Sequence, residues 1–231
     1  MKTLLTTIYW DLKLQIRNNI LTIAIIVAAI YTGIFLIFNL RGYDDVLLAL
    51  IFSDPAAMGF IFIGVLVLFE KGANTLEALV VTPIKIWQYL FSKAVSLTLI
   101  ALIICFAIII TGHGIHFNYF YFFLAAFLTS VLFVLIGFIG VAHVRTFNQY
   151  ILVIPVFLAP VFLPFLNYFG ATDTWWFYII PSQASLLLFN ASVEPVSVFD
   201  LIYSIIYLII SISVAYYFAR KQFIKHIIKG E

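Results

Sequence analysis

The sequence predicts an all-α integral membrane protein of six transmembrane helices, and three observations predict it. Of the 231 residues, 65% are hydrophobic and 10% charged, with a mean hydropathy of +1.17, whereas a water-soluble domain carries about a quarter charged residues. Six apolar runs are long enough to cross a bilayer, at Ile20–Leu40, Val46–Phe69, Trp87–Thr111, Tyr119–Val141, Gln149–Phe169 and Phe199–Ala219. A hydrocarbon core of about 30 Å takes about 20 helical residues. The runs are apolar all round and do not alternate, which excludes a β-barrel. Third, with the N-terminus inside, every Lys and Arg except Arg41 falls on the cytoplasmic side, as cytoplasmic loops require, and both termini lie there.

Taken in chain order, the first 19 residues form an element of their own before the six-span domain of residues 20–231. Leu4, Leu5, Ile8, Leu12 and Ile16 recur at helical spacing, with Lys2, Asp11, Lys13 and Arg17 off that stripe. Such a helix lies in the inner interface with its basic residues at the headgroups. The first span shows no small-residue cleavage pattern and reads as an anchor.

Ser53-Asp54-Pro55 interrupts the second span, because proline removes a donor and turns the preceding residue from helical angles. The expectation is a kink or a helix restarting at Pro55 with Asp54 as its cap. Asp54 is also the carboxylate nearest the apolar region, which makes it a candidate site residue.

The insert Glu70–Pro83 between spans two and three carries a second helix. Asn74 followed by Glu77 has capping-box spacing, Leu76, Leu79 and Val80 form one apolar face, and Thr82-Pro83 ends it. A segment needed only as a connection is shorter and more polar; this one reads as a docking surface for a cytoplasmic partner. On the other side, the aromatic-rich stretch Pro164–Pro195 fits short re-entrant or interfacial helices, with Pro155, Pro160 and Pro164 kinking the approach.

The chemistry excluded is as informative. No G-x-x-x-x-G-K-[ST] phosphate loop occurs, nor a G-x-S-x-G or H-E-x-x-H motif, so no enzyme site is predicted. Cys105 is the sole cysteine, and His113 with His116 is a histidine pair lacking a third ligand, so no metal site is assigned. A net charge of +2 points to no nucleic-acid partner. Ion-coupled carriers keep ionisable groups inside the membrane, and Asp54 is the one candidate; uphill transport would then draw its energy from outside the membrane.

These features resemble the ABC-2 exporter permeases: an amphipathic elbow helix before span one, a coupling helix after span two and re-entrant helices between spans five and six. The run Glu70–Pro83, its continuation Trp87–Lys93 and Phe52–Pro55 are most similar to the bacterial fluoroquinolone-export permease group. The resemblance implies a permease subunit in the bacterial inner membrane, paired with a second permease copy or paralogue. Its partner would be a separate ABC ATPase that binds ATP and Mg, this chain holding no cofactor. It implies ATPase coupling through Asn74, Thr75, Leu76, Glu77, Leu79 and Val80. It also implies a substrate path between spans two and five, lined by Phe60, Phe62, Asp54, Phe157 and Phe162, for a hydrophobic drug-like or lipid-like cargo. The alternatives are a haem or cytochrome-maturation permease, in which His113 and His116 would matter, and an ion-coupled secondary carrier.

Overall fold

The computed structural model describes residues 2–38, 42–73, 75–76, 84–172 and 174–225. Among these the elements are helical throughout: α1 Lys2–Arg17, α2 Ile20–Ile37, α3 Asp44–Gly72, α4 Ile86–Gly112, α5 Tyr119–Ala142, α6 Phe147–Phe162, α7 Phe165–Tyr168, a 3-10 turn Trp175–Ile179, α8 Pro181–Asn190 and α9 Val198–Phe223. Six of them are long and apolar enough to cross a membrane, α6 counting together with α7.

Local chemistry sets where the spans begin. Asn118 Oδ1 accepts from the Phe120 and Tyr121 N–H groups at 3.1 and 3.2 Å and opens α5. At α9 the Asp200 N–H donates to Ser197 Oγ at 3.0 Å, while the hydroxyl donates back to the Asp200 carboxylate at 2.6 Å. Such caps satisfy donors that have no partner inside the helix. The Gln88 side-chain oxygen Oε1 accepts from the Lys85 N–H at 2.9 Å ahead of α4. At the end of α5, Lys71 Nζ donates to the Val141 and Val144 carbonyls at 3.1 and 2.8 Å, a cation placed where the helix dipole favours one.

Packing sorts the spans into a centre and a periphery. The apolar window of α3 is 72% buried, against 17% for α2 and for α9. α3 and α5 form the main contact, α4 packs on both, and α1 and α2 lie against α4. Glycines let the central pair approach: a Cβ at Gly59 would lie 3.1 Å from the Val134 nitrogen, and one at Gly137 would meet Phe60 and Ile63. Small residues permit such close helix contact inside a membrane, where dispersion and not water expulsion holds helices together.

Two local expectations change. α3 runs unbroken through Pro55, so Asp54 caps no restarted helix and instead sits inside one, 2% exposed. α1 forms as expected but turns differently: Asp11 and Gln15 are buried, while Leu5 and Ile16 on the apolar stripe are exposed. An outward apolar residue costs nothing where the surroundings are lipid, so periodicity finds this helix without fixing its inward face. Within Pro164–Pro195, the break after α6 falls at Leu163-Pro164, and α8 begins on Pro181 with its side chains largely buried against α3, α5 and α9.

Candidate functional site

The densest polar constellation joins three elements at the end where α3 stops and α4 begins. Asp11 lies on α1, Glu70 on the last turns of α3, and Tyr89, Ser92 and Lys93 on the first turns of α4. Residues 89, 92, 93 and 96 share a helix face at i, i+3, i+4 and i+7, and 11 and 15 share one on α1, so one polar seam forms between the two helices.

Its geometry is fully paired. Lys93 Nζ is 2.7 Å from Asp11 Oδ1 and 2.5 Å from Glu70 Oε1, with the lysine side chain 1% exposed. Ser92 Oγ donates to Asp11 Oδ2 at 2.6 Å, and the Tyr89 hydroxyl to Glu70 Oε2 at 2.5 Å. Each of the four carboxylate oxygens thus has a donor, the condition under which buried ions are tolerated. One turn along, Gln15 Nε2 donates to Ser96 Oγ at 2.7 Å. Two carboxylates share one ammonium, and removing the lysine leaves both without a counter-ion.

Sequence reasoning placed Lys93 among the cytoplasmic basic residues and Asp11 on the polar side of α1; their pairing was missed. They lie 82 residues apart. The signal present in the sequence was a lysine seven residues into an apolar helix, which needs a counter-ion.

The expected ATPase-coupling residues fall mostly outside the described residues: Asn74, Glu77, Leu79 and Val80 do so, as do Thr82 and Pro83. Thr75 Oγ1 donates to the Glu70 carbonyl at 3.0 Å, which closes the end of α3 just behind the ion cluster. Leu76 is 8% exposed and belongs to the hydrophobic core. Its own side chain therefore packs into the bundle and does not face outward.

The expected path residues divide. Phe60 and Phe157 meet, ring centroids 5.5 Å apart, and Phe60 stacks on Tyr150 at 5.7 Å. The Tyr150 hydroxyl donates to the Phe60 carbonyl at 2.5 Å, its ring filling the space left by Gly64. Phe162 reaches α3 through Phe165, which is 5.4 Å from both Phe162 and Phe52. Spans two and five thus touch through two aromatic ladders. Phe60 is completely buried and Phe62 half-buried against the core, so within one chain this seam is filled. An apolar crevice of about 310 Å³ lies elsewhere, between α4, α5 and α9, lined by Leu90, Ala94, Leu135 and Tyr216 among others.

The histidine pair has its own arrangement. His113 Nδ1 is 2.7 Å from Asp44 Oδ1 and its Nε2 is 3.3 Å from the His116 carbonyl, so backbone and not imidazole joins the two.

No solved structure matches this chain. Two fluoroquinolones export permease proteins of Mycobacterium tuberculosis, from strain CDC 1551 / Oshkosh and strain ATCC 25618 / H37Rv, are each 29% identical to it over 216 residues, covering 91% of this chain and 90% of theirs. The family match extends over residues 2–231. With six apolar helices and a match of that extent, this chain is a multi-pass membrane protein that belongs to the fluoroquinolones export permease family.

Proposed function

We propose that the chain is the membrane-spanning permease subunit of an ATP-driven ABC-2 type exporter, powered by a separate ABC ATPase and working beside a second permease copy or paralogue. The observation that carries this is an export-permease match over residues 2–231 in a sequence without a phosphate loop. In this reading the chain lies in the bacterial inner membrane with both termini in the cytoplasm, and the ATPase docks on the segment after α3, with Glu77 in the contact.

The ion cluster supports the same reading, because Glu70 stands four residues ahead of Asn74. A displacement of the docked segment reaches Glu70 first, then Lys93 on α4, and through Lys93 reaches Asp11 on α1. Three elements move together because separating them strands a buried charge. The cargo is a hydrophobic drug-like or lipid-like molecule passing along the α3–α6 side, where Phe60, Phe62, Phe157, Phe162 and Asp54 lie on or near spans two and five. For Phe60 to line an open path, α6 must move away from α3, breaking the Tyr150 contact.

The test is Glu77→Arg. Export of a fluorescent hydrophobic substrate from cells should stop, and the ATPase should no longer co-purify, while the permease still inserts at wild-type level. Wild-type export by the inserted variant would remove the coupling role from this segment.

A further inference from the structure

Among the described residues, Asp54 is the buried carboxylate that lies outside the ion cluster. It sits within α3, 2% exposed, and neither carboxylate oxygen has a hydrogen-bond partner among the described residues. Such a group inside a membrane protein calls for a partner, because an unpaired buried charge is strongly unfavourable.

A second acceptor lies beside it. Pro55 has no N–H to give the Ile51 carbonyl, the oxygen that residue 55 would otherwise bond within the helix. The Cys105 thiol approaches that carbonyl, Sγ at 4.0 Å, too far for a strong bond. Cys105 and Tyr31 of α2 both lie within electrostatic range of the Asp54 charge. Asp54 and the Ile51 carbonyl are three residues apart on one face of α3, the face turned toward Cys105 of α4 and Tyr31 of α2.

The number of oxygens selects the cation. A hard metal ion takes six or more oxygen ligands, and among the described residues no three His, Cys, Asp or Glu side chains gather for one. A protonated amine carries two or three donors, which a carboxylate and one carbonyl saturate. Leu50 and Met58 share this face and are apolar and half-buried, so the rest of the ligand is hydrophobic. α2 packs chiefly on α4 and only lightly on α3, and Tyr31 is half-buried. The way in runs between α2 and α3.

We propose that Asp54, together with the Ile51 carbonyl freed by Pro55, binds the protonated amine of a hydrophobic ligand. That this ligand is the cargo rests on the export reading given above.

The test measures binding without transport. The purified chain in phosphatidylcholine nanodiscs is titrated with dansyl-tagged hexylamine and with its uncharged N-acetyl derivative, by dansyl fluorescence. The amine should bind at least about tenfold tighter than the amide, the scale of one charge-assisted bond. Asp54→Asn should erase that preference, Asp54→Glu should keep part of it, and Pro55→Ala, which returns an N–H to the Ile51 carbonyl, should weaken it. Equal affinities in the unmodified protein, or a preference that survives Asp54→Asn, would overturn the assignment. If Asp54→Asn does not fold, the Pro55→Ala result decides, an unchanged preference counting against the site. Amine preference in a chain that exports nothing with its ATPase overturns the export reading alone; export without amine preference overturns this inference alone.

Discussion

Lys93 carries one positive charge between two carboxylates, and each neighbour depends on it. Replacing it with Met leaves Asp11 and Glu70 facing one another with no cation between them, inside the bundle. Breaking a buried pair by removing one partner costs about 3–5 kcal/mol. The Lys93→Met protein should therefore lose most of its thermal stability in detergent, read as the midpoint of its monodisperse chromatography peak against temperature. Lys93→Arg should keep more, since it retains the charge; an unchanged midpoint in Lys93→Met would mean that the cluster holds nothing together. Gly64 makes a different kind of demand. A methyl there would drive into the Tyr150 ring, and overpacking of this sort costs about 1–3 kcal/mol. Gly64→Ala should lower the same midpoint, but less than Lys93→Met does.

At the scale of elements, α6 is held by little. Its buried side chains are Tyr150 and Leu158, and Tyr150 alone stacks, fills the Gly64 slot and bonds the Phe60 carbonyl. Tyr150→Phe keeps the ring and deletes the hydrogen bond, a loss of about 0.5–1.5 kcal/mol. Amide exchange along the first half of α6 should quicken severalfold while α3 and α5 are unaffected; identical exchange would show that the hydroxyl does not tether the helix. The spans themselves were legible in the sequence, because crossing a bilayer forces about 20 consecutive apolar residues whatever the neighbours are. Orientation about each axis was not legible. Leu5 and Asp11 exchange the places that water-based periodicity assigns them, since lipid accepts the leucine and Lys93 accepts the aspartate. Pro55 likewise marked a real feature, yet its surroundings kept the helix continuous and left the Ile51 carbonyl without its helical N–H donor where a cap was expected. Phe60 and Phe157 meet between spans two and five, and their burial could not be read from two helices whose rotation was unknown.

For the whole molecule, the distribution of basic residues gives the orientation to be tested. In a Cys105→Ser background, single cysteines at Ile115 or Trp175, both exposed, should react with an impermeant maleimide added outside intact cells. A cysteine at Lys85 or Lys221, both exposed at the opposite end, should react only after the membrane is opened. The reverse pattern would invert the topology and put the segment after α3 out of reach of any cytoplasmic motor. The energy source is the central matter, and one measurement addresses it. The chain is reconstituted in liposomes with the ATPase proposed as its partner, and uptake of a fluorescent hydrophobic amine is followed with and without ATP, and with a protonophore and a sodium ionophore. ATP-dependent uptake that survives both ionophores is the predicted result; uptake that needs no ATP and collapses with an ion gradient would contradict it.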